Sequence, residues 1–209
     1  MSKKTPKQNI IKPQNAITPP SRQKIYEAFR MLLQKKDFHD ITTAEISTEA
    51  GVNQALIFRH FENKKGLLYQ VLAEDFEIFQ IKINEDLKGI KGAFNKLRKL
   101  IWSHMDYYDR NPVFAKVIVS EFNSFSDYFE SKCFEMMKSY ASLILKIVKE
   151  GIEAGEIRDD IFPTRIRQII LGGIEYICLP YIIYNRKIRT ETFAEELFEV
   201  IFEGISKKA

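Results

Sequence analysis

The stretch Ile41-Thr42-Thr43-Ala44-Glu45-Ile46-Ser47-Thr48-Glu49-Ala50-Gly51-Val52-Asn53-Gln54-Ala55-Leu56-Ile57-Phe58-Arg59-His60-Phe61-Glu62-Asn63-Lys64-Lys65-Gly66-Leu67-Leu68 decides the fold. Thr42-Thr43-Ala44-Glu45 is a capping box, in which hydroxyl and carboxylate satisfy each other's backbone N–H, so a short helix starts there. Ile46 and Ala50 give it an inner face, and Gly51 supplies the left-handed residue that ends it and turns the chain. Asn53 caps a further helix, Gln54 to about His60, and Asn63 caps a long one through Leu67, Leu68, Val71, Leu72, Phe76 and Phe79. Ile46, Ala50, Val52 and Ile57 pack between the two short helices, while small Ser47 and Ala50 let them cross closely. That is a helix-turn-helix, and it leaves Gln54, Ala55, Phe58 and Arg59 pointing elsewhere. Any three-helix domain has such turns, so the segment alone also admits an ordinary helical hairpin.

Outward from this motif the pattern stays helical. Upstream, Ile25, Ala28, Phe29, Leu32 and Leu33 repeat at the helical period from Arg22. Residues 1–21 hold four prolines, four lysines and no acid, and read as a flexible basic arm. Downstream, helices are expected at about 90–109, to about Phe122, from about Ser126 to Ala154, at about 164–184 and at about 190–206. No alternating strand pattern competes, so the fold class is all-α. The apolar run Ile169 to Tyr184 is interrupted by Glu175 and Pro180 and falls short of the roughly 20 residues a membrane span needs; it reads as a buried helix of a soluble protein.

Composition narrows the function. Of 209 residues, 45% are hydrophobic and 29% charged, a globular balance that excludes disorder throughout. The net charge is only +4, but residues 1–66 hold 12 Lys/Arg against 6 Asp/Glu, so all the excess positive charge lies in the first third. A phosphate-facing module on a neutral body has this distribution, and so does a body with a solvated tail. Two cysteines, Cys133 and Cys178, are too few for a disulfide framework or a thiolate metal site, and they read as small buried hydrophobes. His39, His60 and His104 are scattered, no grouping has metal-ligand spacing, and no nucleophile elbow or glycine-rich phosphate loop is present. The expectation is a cytoplasmic protein that is not an enzyme and uses no cofactor or metal.

The run from Ile41 to Leu68, with its cap, turn glycine, aromatic-x-His-Phe and Lys-x-x-Leu-Leu, resembles the N-terminal signature of the tetracycline-repressor (TetR) family over about residues 22–70. The resemblance implies a three-helix DNA-binding domain, 22–67, followed by a larger helical ligand-binding and dimerisation domain, 68–209. It implies contacts with double-stranded DNA from Thr42, Thr43, Asn53, Gln54, Ala55, Phe58, Arg59, His60 and Lys64. Thr42 and Thr43 sit at a helix N-terminus suited to phosphate. Gln54 has the amide to read an adenine edge, and Ala55 the methyl to meet a thymine. Phe58 stands where the family usually has tyrosine and lacks the hydroxyl for a phosphate. Arg59, His60 and Lys64 are expected on the DNA backbone, and the arm either adds nonspecific contacts or none.

For the body, the last helix is apolar over so wide an arc (Phe193, Leu197, Phe198, Val200, Ile201, Phe202, Ile205) that it must be buried on two sides. Together with Gly172-Gly173 in the preceding helix, and with the family resemblance, this implies a homodimer on a four-helix interface. Candidate ligand-lining residues are Trp102, His104, Met105, Tyr108, Phe122, Tyr140, Glu175 and Tyr176, each of which serves core packing equally well. They suit an apolar or aromatic small-molecule effector. The function so implied is a ligand-responsive transcriptional regulator, a repressor, that binds a palindromic operator as a dimer. The alternatives are a ligand-independent DNA-binding protein that recruits protein partners, and a helical-bundle enzyme or carrier.

Overall fold

Leu67 and Leu68, at the start of a long helix, bury against the first helices of the chain, and Phe76 and Phe79, two and three turns on, bury against Tyr107, Phe114 and Tyr140 of the middle ones. That one helix ties two helical layers together in the computed structural model, which describes residues 19–121 and 129–206. Among the described residues there are nine α-helices and no strand: α1 Pro20–Leu33, α2 Thr43–Ala50, α3 Ala55–Phe61, α4 Lys64–Leu87, α5 Ala93–Arg110, α6 Pro112–Glu121, α7 Lys132–Glu153, α8 Pro163–Ile183 and α9 Thr190–Ile205. One isolated antiparallel bridge joins Ile157 to Ser206.

The local signals act largely as expected. The Thr42–Glu45 box is complete, with Glu45 N–H donating to Thr42 Oγ1 at 3.1 Å and Thr42 N–H to Glu45 Oε2 at 2.9 Å. Gly51 takes φ 62° and ψ 40°, and Asn63 Oδ1 accepts from Gly66 N–H at 2.8 Å to cap α4. Some boundaries differ, and α3 runs Ala55–Phe61 with Gln54 rather than Asn53 at its N-cap. α1 begins at Pro20, because proline suits the first helical turn, where an N–H has no partner to lose. Most of the arm, residues 1–18, lies outside the described residues. α7 begins at Lys132 rather than near Ser126, set by Ser131, whose hydroxyl accepts from Phe134 N–H at 3.1 Å. A short 3-10 turn, Phe38–Asp40, intervenes between α1 and α2.

In the body α5 is central, packed against α4, α6, α7, α8 and α9. Its N-terminus is capped from another element: Glu156 Oε2 accepts from Ala93 N–H at 2.8 Å and Phe94 N–H at 3.3 Å. The apolar surface of the last two helices is distributed differently from the expectation. α9 turns Phe193, Phe198, Ile201 and Ile205 into the fold, leaving Val200 and Phe202 exposed. α8 buries a stripe, Ile166, Ile170, Ile174, Cys178 and Ile182, and leaves Ile169, Tyr176 and Ile183 exposed on its other side. The run expected to be a fully buried helix is therefore covered on one side only. Among the described residues α8 is the one helix long and apolar enough to cross a membrane by length and composition. Gly173 permits the α8–α9 crossing, since a Cβ there would come within 2.8 Å of Leu197 Cδ1.

Candidate nucleic-acid interface and effector chamber

The head is built on Ile25, Phe29, Phe38, Ile41, Ile46, Ile57, Phe61, Leu67 and Leu68, all buried. Burial of these residues fixes which side chains of α2 and α3 remain outside. Thr42, Asn53, Gln54, Ala55, Phe58 and Arg59 are exposed, and Thr43 and His60 half-buried. Several hold the outer edge of α2 and α3 in shape. Asn53 Oδ1 accepts from Ala55 N–H at 2.8 Å, and Gln54 Nε2 donates to Thr43 Oγ1 at 2.6 Å, tying the first turn of α3 to that of α2. Thr42 is committed to its capping box, whose Glu45 is held down to about 2 by a hydrogen bond from Lys36 and by the Thr42 backbone.

Two residues expected on the DNA backbone have internal duties. Lys64 Nζ donates to the carbonyls of Phe38, at 2.9 Å, and Ile41, at 2.7 Å, and lies 4.3 Å from the Phe38 ring centre. These two carbonyls flank the 3-10 turn, so the ammonium braces the approach to α2. His60 Nε2 shares a 3.0 Å hydrogen bond with Ser21 Oγ on α1. Neither duty is legible in the sequence, because the partners lie 23 or more positions away.

The link from α3 to α4 is unusually tight. Glu62 takes φ 65° and ψ −47°, and Asn63 N–H donates to the Phe61 carbonyl at 2.7 Å, which is a γ-turn at a non-glycine residue. The same carbonyl faces Gly66, where a Cβ would lie 2.2 Å from the Phe61 oxygen. Beyond this corner, α1 is pinned to α4. Arg22 Nη2 pairs with Glu74 Oε1 at 2.9 Å, and Arg30 pairs with Asp75, which also accepts from Tyr26 Oη at 3.4 Å. Burial raises the Asp75 carboxyl above its ordinary value even though Arg30 opposes the rise.

At the centre of the body α4, α5, α7 and α8 enclose an aromatic cluster. Phe79 lies 4.6 Å from Tyr107 and 5.4 Å from Tyr140, and His104 lies 4.7 Å from Tyr108, centre to centre. His104 Nδ1 and Tyr140 Oη share a 3.2 Å hydrogen bond, and burial lowers the imidazole to about 4, so it is neutral. The hydroxyls of Tyr107 and Tyr108 are buried without a hydrogen-bond partner, and each such group costs about 1–3 kcal/mol. Cys178, also buried beside this cluster, has its thiol pushed up to about 12.

Of the expected lining residues, His104, Tyr108 and Tyr140 are brought together in this centre, and Met105 is buried. Glu175 is half-buried, its carboxyl raised by burial. Trp102 is half-buried, with Lys99 Nζ 4.7 Å from its ring. Tyr176 is 79% exposed on the outer side of α8, since Ile174 and Cys178 take the inward stripe and two further residues turn a helix through about 200°. Phe122 lies outside the described residues. Phe76, Phe79 and Tyr107 were not on the expected list. Their signal was helical spacing from Leu72 and His104, which marks any core position alike.

Comparison with known proteins covers both layers. The sequence model of bacterial regulatory proteins, tetR family, matches residues 25–71, and that of the YsiA-like protein C-terminal region matches residues 72–204. The fatty acid metabolism regulator protein of Bacillus subtilis (strain 168) is 25% identical over 189 residues, spanning 90% of this chain and 97% of that protein. The crystal structure of the transcriptional regulator FadR from Bacillus subtilis in complex with stearoyl-CoA superposes with a TM-score of 0.78 at 25% identity, covering 88% of this chain and 98% of that one. The fatty acid degradation regulator FadR from Bacillus halodurans, at 20% identity, shares the fold with a TM-score of 0.79, over 92% of this chain and all of that one.

Proposed function

This chain belongs to the tetR family of bacterial regulatory proteins, and from that premise we propose that it is a homodimeric, cytoplasmic repressor released from DNA by a long-chain acyl thioester. The observation that carries the reading is α4, which runs without a break from the tight corner behind α3 into the aromatic centre of the body. A ligand in that centre must displace packed rings such as Phe76 and Phe79, and both stand on α4. The centre is apolar with polar atoms at fixed points, which suits an acyl chain carrying a carbonyl once the rings part: the Tyr107 and Tyr108 hydroxyls are buried without a partner. Likeness to a fatty acid regulator over nine-tenths of the chain supports the same ligand class.

In this reading residues 22–67 are the head, 68–209 the body and 1–21 an accessory arm. Gln54, Ala55, Phe58 and Arg59 form the reading edge, with Thr43 and Asn53 positioning it. One short helix reads few base pairs, so two heads must act together, and the exposed α8 face is where two subunits meet. Linkage then requires that ligand weaken DNA binding as much as DNA weakens ligand binding.

The test is selection of bound sequences from a random duplex library, followed by titration with stearoyl-CoA. An inverted repeat from which the protein is released by stearoyl-CoA is the expected result. On that sequence Gln54→Ala should relax discrimination at one base position by about 1–3 kcal/mol. Enrichment of no sequence, or DNA affinity indifferent to the thioester, would overturn the reading.

A further inference from the structure

A cavity of about 230 Å³ lies outside the aromatic centre, where the C-terminal half of α1 and the α5–α6 corner face α4. Its apolar walls include Val71 and Val117, and its polar groups include Arg30, Asp75, Arg110 and Asn111. Each guanidinium has one carboxylate partner, Asp75 for Arg30 and Asp106 for Arg110, so what the lining offers a ligand is the N–H donors left over on both. Neither arginine is saturated. Arg110 contacts Asp106 through Nε, at 2.9 Å, and Arg30 contacts Asp75 and Tyr26 through Nη1, whereas a guanidinium carries five N–H donors.

We infer that this junction cavity is a second ligand site, separate from the acyl chamber, for a small carboxylate with an apolar body. Size supports the class, since an apolar cavity of about 150 Å³ holds benzene and this one is somewhat larger. A planar carboxylate matches the arginine fork, and a carboxylate taken between Arg110 and Arg30 would bridge body to head. The site spans the two layers, because Arg30 belongs to α1 while Arg110 closes α5. A ligand there engages the contact that pins α1 to α4.

The experiment is calorimetric titration of the full chain with octanoate, with 1-octanol as the uncharged comparison, in the absence and presence of saturating stearoyl-CoA. Octanoate is expected to bind once per chain in both conditions and more tightly than octanol. Arg110→Gln, at an exposed residue whose loss leaves the core intact, should weaken octanoate about tenfold or more, and Arg110→Lys less. Val113→Trp, at the rim, should block octanoate and leave stearoyl-CoA binding unchanged. The inference falls if octanoate does not bind, if it is displaced by stearoyl-CoA, or if its affinity ignores both Arg110→Gln and Val113→Trp. Failure of stearoyl-CoA to bind would count against the acyl reading alone, since the octanoate arms stand without it.

Discussion

Gly66 shows how one atom can set the aim of the reading head. In a helix glycine is about 1 kcal/mol worse than alanine, so Gly66→Ala would ordinarily stabilise α4. Here the added Cβ would lie 2.2 Å from a backbone oxygen, that of Phe61, which cannot rotate away. Overpacking of this kind costs about 1–3 kcal/mol and outweighs the propensity gain. Gly66→Ala should therefore lower the urea midpoint and weaken DNA binding together, where a purely local helix effect would raise the midpoint. His104 gives a second residue-scale outcome. Its imidazole is lowered to about 4 in the fold against about 6.5 when unfolded. The unfolded chain takes up the proton first, so stability is full above about pH 6.5 and declines as pH falls towards 4, by on the order of 3 kcal/mol. Denaturant titrations across that range should show the decline, and His104→Gln should flatten its share of it.

Among the elements, the two caps of the head were legible because capping is a contact between residues three apart. Thr42 with Glu45 and Asn63 with Gly66 could be read from spacing, and both are made. Contacts between distant residues could not be read. Ser131, which starts α7, looked like any other polar residue near an expected boundary, and Glu156, which caps α5, is 63 positions from Ala93. Lys64 is the clearest case: a lysine beside a helix start suggests phosphate, yet tertiary folding gives it two carbonyls to satisfy. The γ-turn at Glu62 was equally hidden, because no glycine marks it. With Gly66 it makes α3 and α4 one stiff unit, so movement of α4 is carried to α3 rather than absorbed in a loop.

For the molecule as a whole, the apolar surface left over after folding is the guide to assembly. Ile169, Tyr176 and Ile183 recur on one side of α8, and Tyr176 is 79% exposed. Exposed apolar residues that recur on one side of a helix mark an interaction surface. Tyr176→Glu changes no internal contact of the subunit, so its thermal midpoint as a monomer should hold. Sedimentation should show the wild type as a dimer and the variant as a monomer, with operator affinity lost alongside. A variant that still sediments as a dimer would place the interface elsewhere.

The sequence alone determined the all-α class, the helix-turn-helix and the side chains left outside it, since these follow from periodicity and from capping between near neighbours. Only the tertiary structure decided that Lys64 turns inward, that α8 keeps one side bare while α9 leaves Val200 and Phe202 outside, and that His104 meets Tyr140. A helical repeat says how wide an apolar face is, but what covers each part of it depends on packing partners far away in the chain.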